Sequence, residues 1–197
     1  MIVGKDWVWL HFPKCGGTSA EALLQLNFGN DPEVAFDPID PENVIWHDSI
    51  SKRKARNPEQ NLSGHRILLL FRRLPDWLLS RVHYEAGRKP YRIATREMIE
   101  TGRFYENAGR INRADAVFRN FNTPPADHLV PVEKMHEGFE AFFGRSLKPL
   151  EEQKNKNRFP YLRDISFWFT PAQLEELYHA NPLWAEAEKR VYGDLRV

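Results

Sequence analysis

The chain has 197 residues, a length that suits one domain with a real hydrophobic core. Its 28 Lys and Arg against 27 Asp and Glu leave a formal charge of +1, which argues against a general nucleic-acid binder. The single cysteine allows no internal disulfide, and no signal-peptide h-region or membrane-length apolar run is present, so a cytoplasmic protein without a membrane span is expected.

The first predicted element is the apolar run Trp7–Leu10, read as a strand. It leads directly into HFPKCGGTS, His11 to Ser19, and that string leads directly into Ala20, Leu23 and Leu24 at helical spacing. Gly16 and Gly17 let backbone N–H groups approach an anion closely. Thr18 and Glu21 have capping-box spacing, which predicts a helix start at this point. A helix N-terminus offers unpaired N–H groups and partial positive charge, and Lys14 adds a full charge beside it. The stretch reads as a phosphate cradle, against the plainer reading of a strand-to-helix turn with a solvent lysine. It is not a Walker loop, in which the lysine follows the second glycine. Here Lys14 precedes both glycines, and no GxGxxG occurs.

Further along, Val44 to His47 reads as a short strand and Ser49 to Arg56 as a basic, solvated helix. Arg66–Phe71, RILLLF, suits a parallel strand buried on both faces. Arg72 and Arg73 follow, and Pro75 and Asp76 open a helix through Trp77, Leu78, Ser80, Val82 and Tyr84. A residue at the carboxyl end of a parallel strand faces the ligand crevice of an α/β fold, which directs attention to Arg72. Residues 86–127 are irregular, with helix expected around Arg92 to Thr101 and Arg113 to Phe121. His128 to Val132 reads as a buried strand, and Glu133 to Phe143 as a helix stopped by Gly144. The basic run Lys154 to Arg158 comes next. Thr170-Pro-Ala-Gln173 is a capping box with proline at the first helical position, Asn181-Pro182 breaks that helix, and a last helix runs to Tyr192. No repeat or linker splits the chain. The expected fold is α/β: a single domain over 1–197, with a parallel sheet flanked by helices and a P-loop-like strand–loop–helix.

The order P-K-x-G-G-T-S resembles the 5′-phosphosulfate loop of sulfotransferases that use 3′-phosphoadenosine 5′-phosphosulfate (PAPS). It is most similar to the branch containing carbohydrate sulfotransferases, whose loop commonly reads HIPKTGGTS. This chain departs at Phe12, a conservative apolar change, and at Cys15, which replaces a hydroxyl. The spacing Arg72…Pro75…Ser80 resembles the family's 3′-phosphate motif, with the proline one position late. The resemblance implies that Lys14, Cys15, Gly16, Gly17, Thr18 and Ser19 hold the 5′-phosphosulfate, with Cys15 acting through its backbone. It implies that Arg72 and Ser80 hold the 3′-phosphate, and that Lys156 and Arg158 reach the same phosphate from a loop before the terminal helices. It also implies a metal-free site, PAP as the product, and residues 86–127 as an insertion on the acceptor side.

Sulfuryl transfer is an in-line displacement, so positioning and charge stabilisation dominate, by analogy with phosphoryl transfer. Lys14 is placed to neutralise the leaving bridging oxygen. The acceptor's proton needs a base; His47 is the candidate, against a packing role at a strand end, because similar enzymes carry a base near the second strand. Glu21 and His83 are weaker candidates, and His11 more often supports the loop. A small-molecule or glycan acceptor, attacking through a hydroxyl or amine, could meet Trp46, Tyr91, Phe104 and Tyr105 among Arg88, Lys89, Arg92 and Arg96; packed aromatics on a surface helix explain the same residues equally well. Two alternatives stay open: a kinase-like nucleotide phosphotransferase, and a non-catalytic PAP-binding protein.

Overall fold

The computed structural model describes residues 1–40, 44–88, 93–106, 109–151 and 161–197. Two compact units emerge. One gathers Met1–Phe71 with the segment that begins at Asn120, and the other gathers Arg72–Arg119 with the C-terminal helices.

The first unit is built on a five-stranded sheet. Strands β1 (Ile2–Val3), β2 (Trp7–Leu10), β3 (Ala35–Phe36), β4 (Arg66–Phe71) and β7 (His128–Pro131) lie in the order β3-β1-β2-β4-β7. Strands β2, β4 and β7 are parallel, with Leu10 opposite Leu69 and Phe71 opposite Pro131. From Ile67 to Phe71, β4 is buried throughout, as its uninterrupted apolar run predicts. The expected parallel sheet is thus present at its centre, but the whole sheet is mixed. Strands β1 and β3 add to it antiparallel, and two-residue strands are too short for an apolar period to reveal.

Helices flank this sheet: α1 (Gly17–Phe28), α2 (Ile50–Arg56) and α6 (Met135–Phe143). Helix α1 buries Ala20, Leu23, Leu24 and Phe28 along one stripe. Its Phe28 ring meets Trp7 of β2 at 5.5 Å and Phe143 of α6 at 4.7 Å. A 3-10 turn (Val132–Lys134) precedes α6, which ends on Gly144 at φ 64° as the sequence predicts. Helix α2 is basic but not wholly solvated. Arg53 is buried, with its guanidinium paired to Asp37. Val44 to His47 do not form the expected strand: Ile45–His47 is a 3-10 turn, in which Asp48 N–H donates to the Ile45 carbonyl at 2.9 Å. The edge of β1 away from β2 is already occupied by β3, and three apolar residues alone do not distinguish a strand from a turn.

The second unit is mainly helical. It holds α3 (Leu74–Arg88), α4 (Arg96–Glu100), the hairpin β5 (Arg103–Tyr105) and β6 (Ile111–Arg113), and most of α5 (Ala114–Phe121). Helices α7 (Ile165–Trp168), α8 (Pro171–Ala180) and α9 (Pro182–Tyr192) complete it. Its core joins Trp77 to Trp184 at 4.6 Å, Trp77 to Phe104 at 5.3 Å and Phe118 to Trp184 at 5.5 Å. The predicted capping box opens α8, with Thr170 accepting from Gln173 N–H and Gln173 accepting from Thr170 N–H. Among the described residues no helix is long and apolar enough to cross a membrane.

Candidate anion-binding loop and its histidines

Strand β2 ends at Leu10, and the chain turns at once: Phe12 N–H donates to the Leu10 carbonyl at 2.8 Å. Phe12 and Cys15 are both buried to 1% exposure, so they hold the loop down while Lys14 stays half-buried and Thr18 exposed. Phe12 packs 5.1 Å from the Phe121 ring. The Cys15 thiol lies in the core, and Cys15 N–H donates to the Phe12 carbonyl at 3.3 Å.

Lys14 has φ 66° and Gly16 has φ 71°. Lys14 is the only non-glycine residue with positive φ among the described residues. A lysine there carries strain that a glycine would not. Alternation of left- and right-handed backbone turns neighbouring N–H groups toward one concavity, a geometry that suits anions. Helix α1 begins immediately after. Ser19 and Ala20 N–H groups donate to the Gly16 carbonyl, each at 3.0 Å. The first N–H groups of a helix have no carbonyl of that helix to bond, and the helix dipole adds positive potential there. The start differs from the expected capping box. The cap is Gly16, without a side-chain bond, and Thr18 already lies inside the first turn. The left-handed turn at Gly16 starts the helix before Thr18 can cap it.

Gly17 is required for a separate reason. A Cβ at that position would overlap the His11 ring. His11 is buried, and burial holds its imidazole well below the ordinary histidine range, with His47 and the Met1 amine contributing less. The ring is therefore neutral. Its centroid stands 4.3 Å from that of His47, and His47 Nδ1 lies 2.9 Å from the His11 carbonyl oxygen. A carbonyl only accepts, so His47 Nδ1 carries a hydrogen, and in the neutral form of the ring the lone pair falls on Nε2. His11 thus touches both the start of α1 and His47. The sequence offered His11 only as loop support; its carbonyl's grip on His47 needed coordinates to be seen. Glu21 sits within α1, and burial raises its carboxyl above the usual range.

In the second unit, Arg72 directly follows the last residue of β4 and is half-buried. Its carbonyl accepts from Trp184 Nε1 at 3.1 Å, while its guanidinium makes no ion pair with a described residue. Arg73 is different. It reaches Glu188 at 3.2 Å and Asp194 at 2.7 Å, and it lies 4.3 Å over the Tyr192 ring. The structure thereby separates two adjacent arginines: Arg73 is tied to the fold by ion pairs, and Arg72 forms none with a described residue. Ser80 lies on α3 and is buried. His83 Nδ1 donates to the Leu79 carbonyl at 2.7 Å, and its ring stacks on Tyr161 at 4.4 Å.

Lys156 and Arg158 lie outside the described residues, as do Lys89, Tyr91 and Arg92. Phe104 is a core residue at 1% exposure rather than a surface aromatic, and Arg96 pairs with Glu100 at 2.8 Å. No protein-family model, curated protein or solved structure matches this chain.

Proposed function

We propose that this chain is a sulfotransferase that moves a sulfuryl group from PAPS to a hydroxyl or amine of a small-molecule or glycan acceptor. The observation that carries the proposal is the loop between β2 and α1. Left-handed Lys14 and Gly16 flank Cys15, and the loop runs straight into a twelve-residue helix. Backbone N–H groups, a helix N-terminus and a lysine form a donor set that fits a phosphate or phosphosulfate. When bound, PAPS supplies the sulfuryl group and a phosphate leaving group. Gly16, Gly17, Thr18 and Ser19 would contribute backbone or hydroxyl donors to its 5′ end, whereas the Cys15 N–H is already bonded to the Phe12 carbonyl. Lys14 would stabilise negative charge at the leaving oxygen. Arg72 and Ser80 keep the role that the resemblance implies, as partners of the 3′-phosphate; a guanidinium is suited to bidentate phosphate contact.

His47 is the base in this reading. Its tautomer is set by the His11 carbonyl, so the acceptor's proton moves to Nε2. A kinase-like site would call for an acidic metal-holding residue after a buried strand, where this chain has Arg72.

Thermal melting with PAP in the absence of Mg²⁺, followed by transfer assays, tests the proposal. PAP is expected to stabilise the protein by about 2.7 kcal/mol at a hundredfold excess over its dissociation constant. His47→Ala is expected to keep that stabilisation and to lower saturating transfer by about 10²–10⁴-fold. Stabilisation by Mg-ATP alone would favour the kinase reading. Stabilisation by PAP without transfer to any sugar, phenol or amine would favour a non-catalytic PAP binder.

A further inference from the structure

Helix α2 sends one cation inward, to the turn that carries His47. The Arg53 side chain is 10% exposed, and its guanidinium pairs with both carboxylate oxygens of Asp37, the residue after β3. Nη2 of the same group donates to the Ile45 carbonyl at 3.1 Å. Nη1 also reaches Gln60 Oε1 at 3.4 Å, and Nε stands 3.8 Å from Asp48 Oδ2. One buried arginine therefore touches the first residue of the Ile45–His47 turn and the residue that follows it. The carbonyl between them, that of Trp46, accepts from the Met1 amine at 2.8 Å, and this amine also pairs with Asp37 at 2.6 Å. Asp48 pairs in addition with Arg56 at 3.1 Å.

A single 3-10 turn has poor hydrogen-bond geometry and little strength of its own. The His47 imidazole that it carries is tied through Nδ1 to the His11 carbonyl at 2.9 Å. One hydrogen bond still lets a ring swing about the contact. The direction of Nε2 is fixed only when the backbone beneath the ring is fixed as well, and Arg53 with Asp37 supplies that second anchor. A buried ion pair contributes little net stability, because desolvation offsets much of the attraction. What it adds here is direction: a planar guanidinium reaches a carboxylate and a carbonyl at once with rigid donor geometry.

We propose that Arg53, oriented by Asp37, is a positioning residue for His47: it holds the turn at 45–48 and thereby sets the direction of Nε2. Its use in transfer rests on the reading of His47 as the base, whereas its hold on the imidazole does not.

Arg53→Lys keeps a charge opposite Asp37 but lacks the fork that reaches Ile45 at the same time. Two readouts test it in the full chain, each taken below the melting temperature of the variant. Nitrogen-correlated NMR of the His47 ring reports its tautomer and the exchange of the Nδ1 hydrogen. Wild type should hold the Nδ1–H form, and Arg53→Lys should exchange that hydrogen about tenfold faster, as local opening becomes easier. Saturating transfer from PAPS should fall by about 10–100-fold, as expected for a base displaced by about 1 Å, while PAP affinity stays within about twofold of wild type. Asp37→Asn leaves Arg53 in place but weakens its grip. It should move both readouts the same way by less, and it decides the matter if Arg53→Lys does not fold. A purely structural role predicts lower melting temperatures in both variants with an unchanged ring spectrum, and that result overturns the proposal. Loss of PAP affinity in step with the rate overturns it too. Faster ring exchange in the variants of a protein whose wild type neither binds PAP nor transfers sulfate keeps the positioning role and removes the sulfotransferase reading. Wild-type transfer with an unchanged ring in both variants does the reverse.

Discussion

At the residue scale, Lys14 combines two costs that a purely structural loop would avoid. It holds a positive φ of 66°, and it keeps a charged side chain half-buried. The backbone strain is worth about 1–2 kcal/mol in an ordinary residue, and glycine does not bear it. Lys14→Gly should therefore melt no lower than wild type, even though glycine loses some of that gain through its more flexible unfolded chain. Its saturating transfer rate should collapse, because the charge that meets the leaving oxygen is gone. Arg72→Ala should instead weaken PAP binding, with a smaller effect on the rate at saturation. Calorimetric melting and PAP titration of the two variants check this division, and equal binding losses with intact turnover would reject it. Lys14 and the two glycines were readable from sequence because their order is a local pattern. The pairing of His47 with the His11 carbonyl was not, because it joins residues thirty-six positions apart through a backbone oxygen that no side-chain identity announces. The choice between Arg72 and Arg73 was equally hidden, since Glu188 and Asp194, which occupy Arg73, lie more than a hundred residues later.

At the element scale, legibility followed length and locality. The six-residue β4, the fifteen-residue α3 and the capping box of α8 carry strong local signals and appear where the sequence places them. Strands of two or three residues, and the turn at Ile45–His47, owe their form to partners elsewhere in the chain. Helix α9 shows how a local signal can be right about a boundary and silent about its cause. Asn181-Pro182 marks its start, but the Asn181 amide is spent on the Leu177 carbonyl at 2.8 Å. The cap comes from Asp115 on α5, whose carboxylate accepts from Leu183 N–H at 2.9 Å and Trp184 N–H at 2.8 Å. Asp115→Ala leaves the buried Trp184 N–H and the part-buried Leu183 N–H without this acceptor and should cost about 2 kcal/mol. Asp115→Asn keeps one acceptor oxygen and should cost roughly half as much. Denaturant unfolding of both variants is the check; an alanine cost within about 0.5 kcal/mol of zero would mean that α9 finds another cap.

At the scale of the whole molecule, neither compact unit is continuous in sequence, since Asn120 and the residues after it return to the sheet begun by Met1–Phe71. This is why composition showed no linker: no exposed Gly- or Pro-rich joint is needed where the chain passes from strand β4 directly toward α3. Global stability should carry the signature of the buried imidazole beneath the loop. His11 is held well below the ordinary histidine range in the fold, chiefly by burial. In the unfolded chain it returns to about 6.5. As pH falls through that value, the unfolded state binds a proton that the native state refuses, so stability drops. The loss starts near pH 6.5 and continues downward until the much lower native value is reached. Its slope is at most about 1.4 kcal/mol per pH unit. Glu21 and Glu188, whose carboxyls burial raises, act with the opposite sign at lower pH, because the native state takes their protons first. The His11 contribution is isolated by comparing wild type with His11→Gln, which cannot titrate there. Urea unfolding at pH 7.5, 6.5 and 5.5 should show the wild type losing stability faster than the variant below pH 6.5. NMR of the wild-type imidazole should show no protonation over the same range. Parallel stability curves, or a His11 resonance that titrates near pH 6.5, would mean that the ring gains charge within the fold and that the loop rests on a more hydrated histidine.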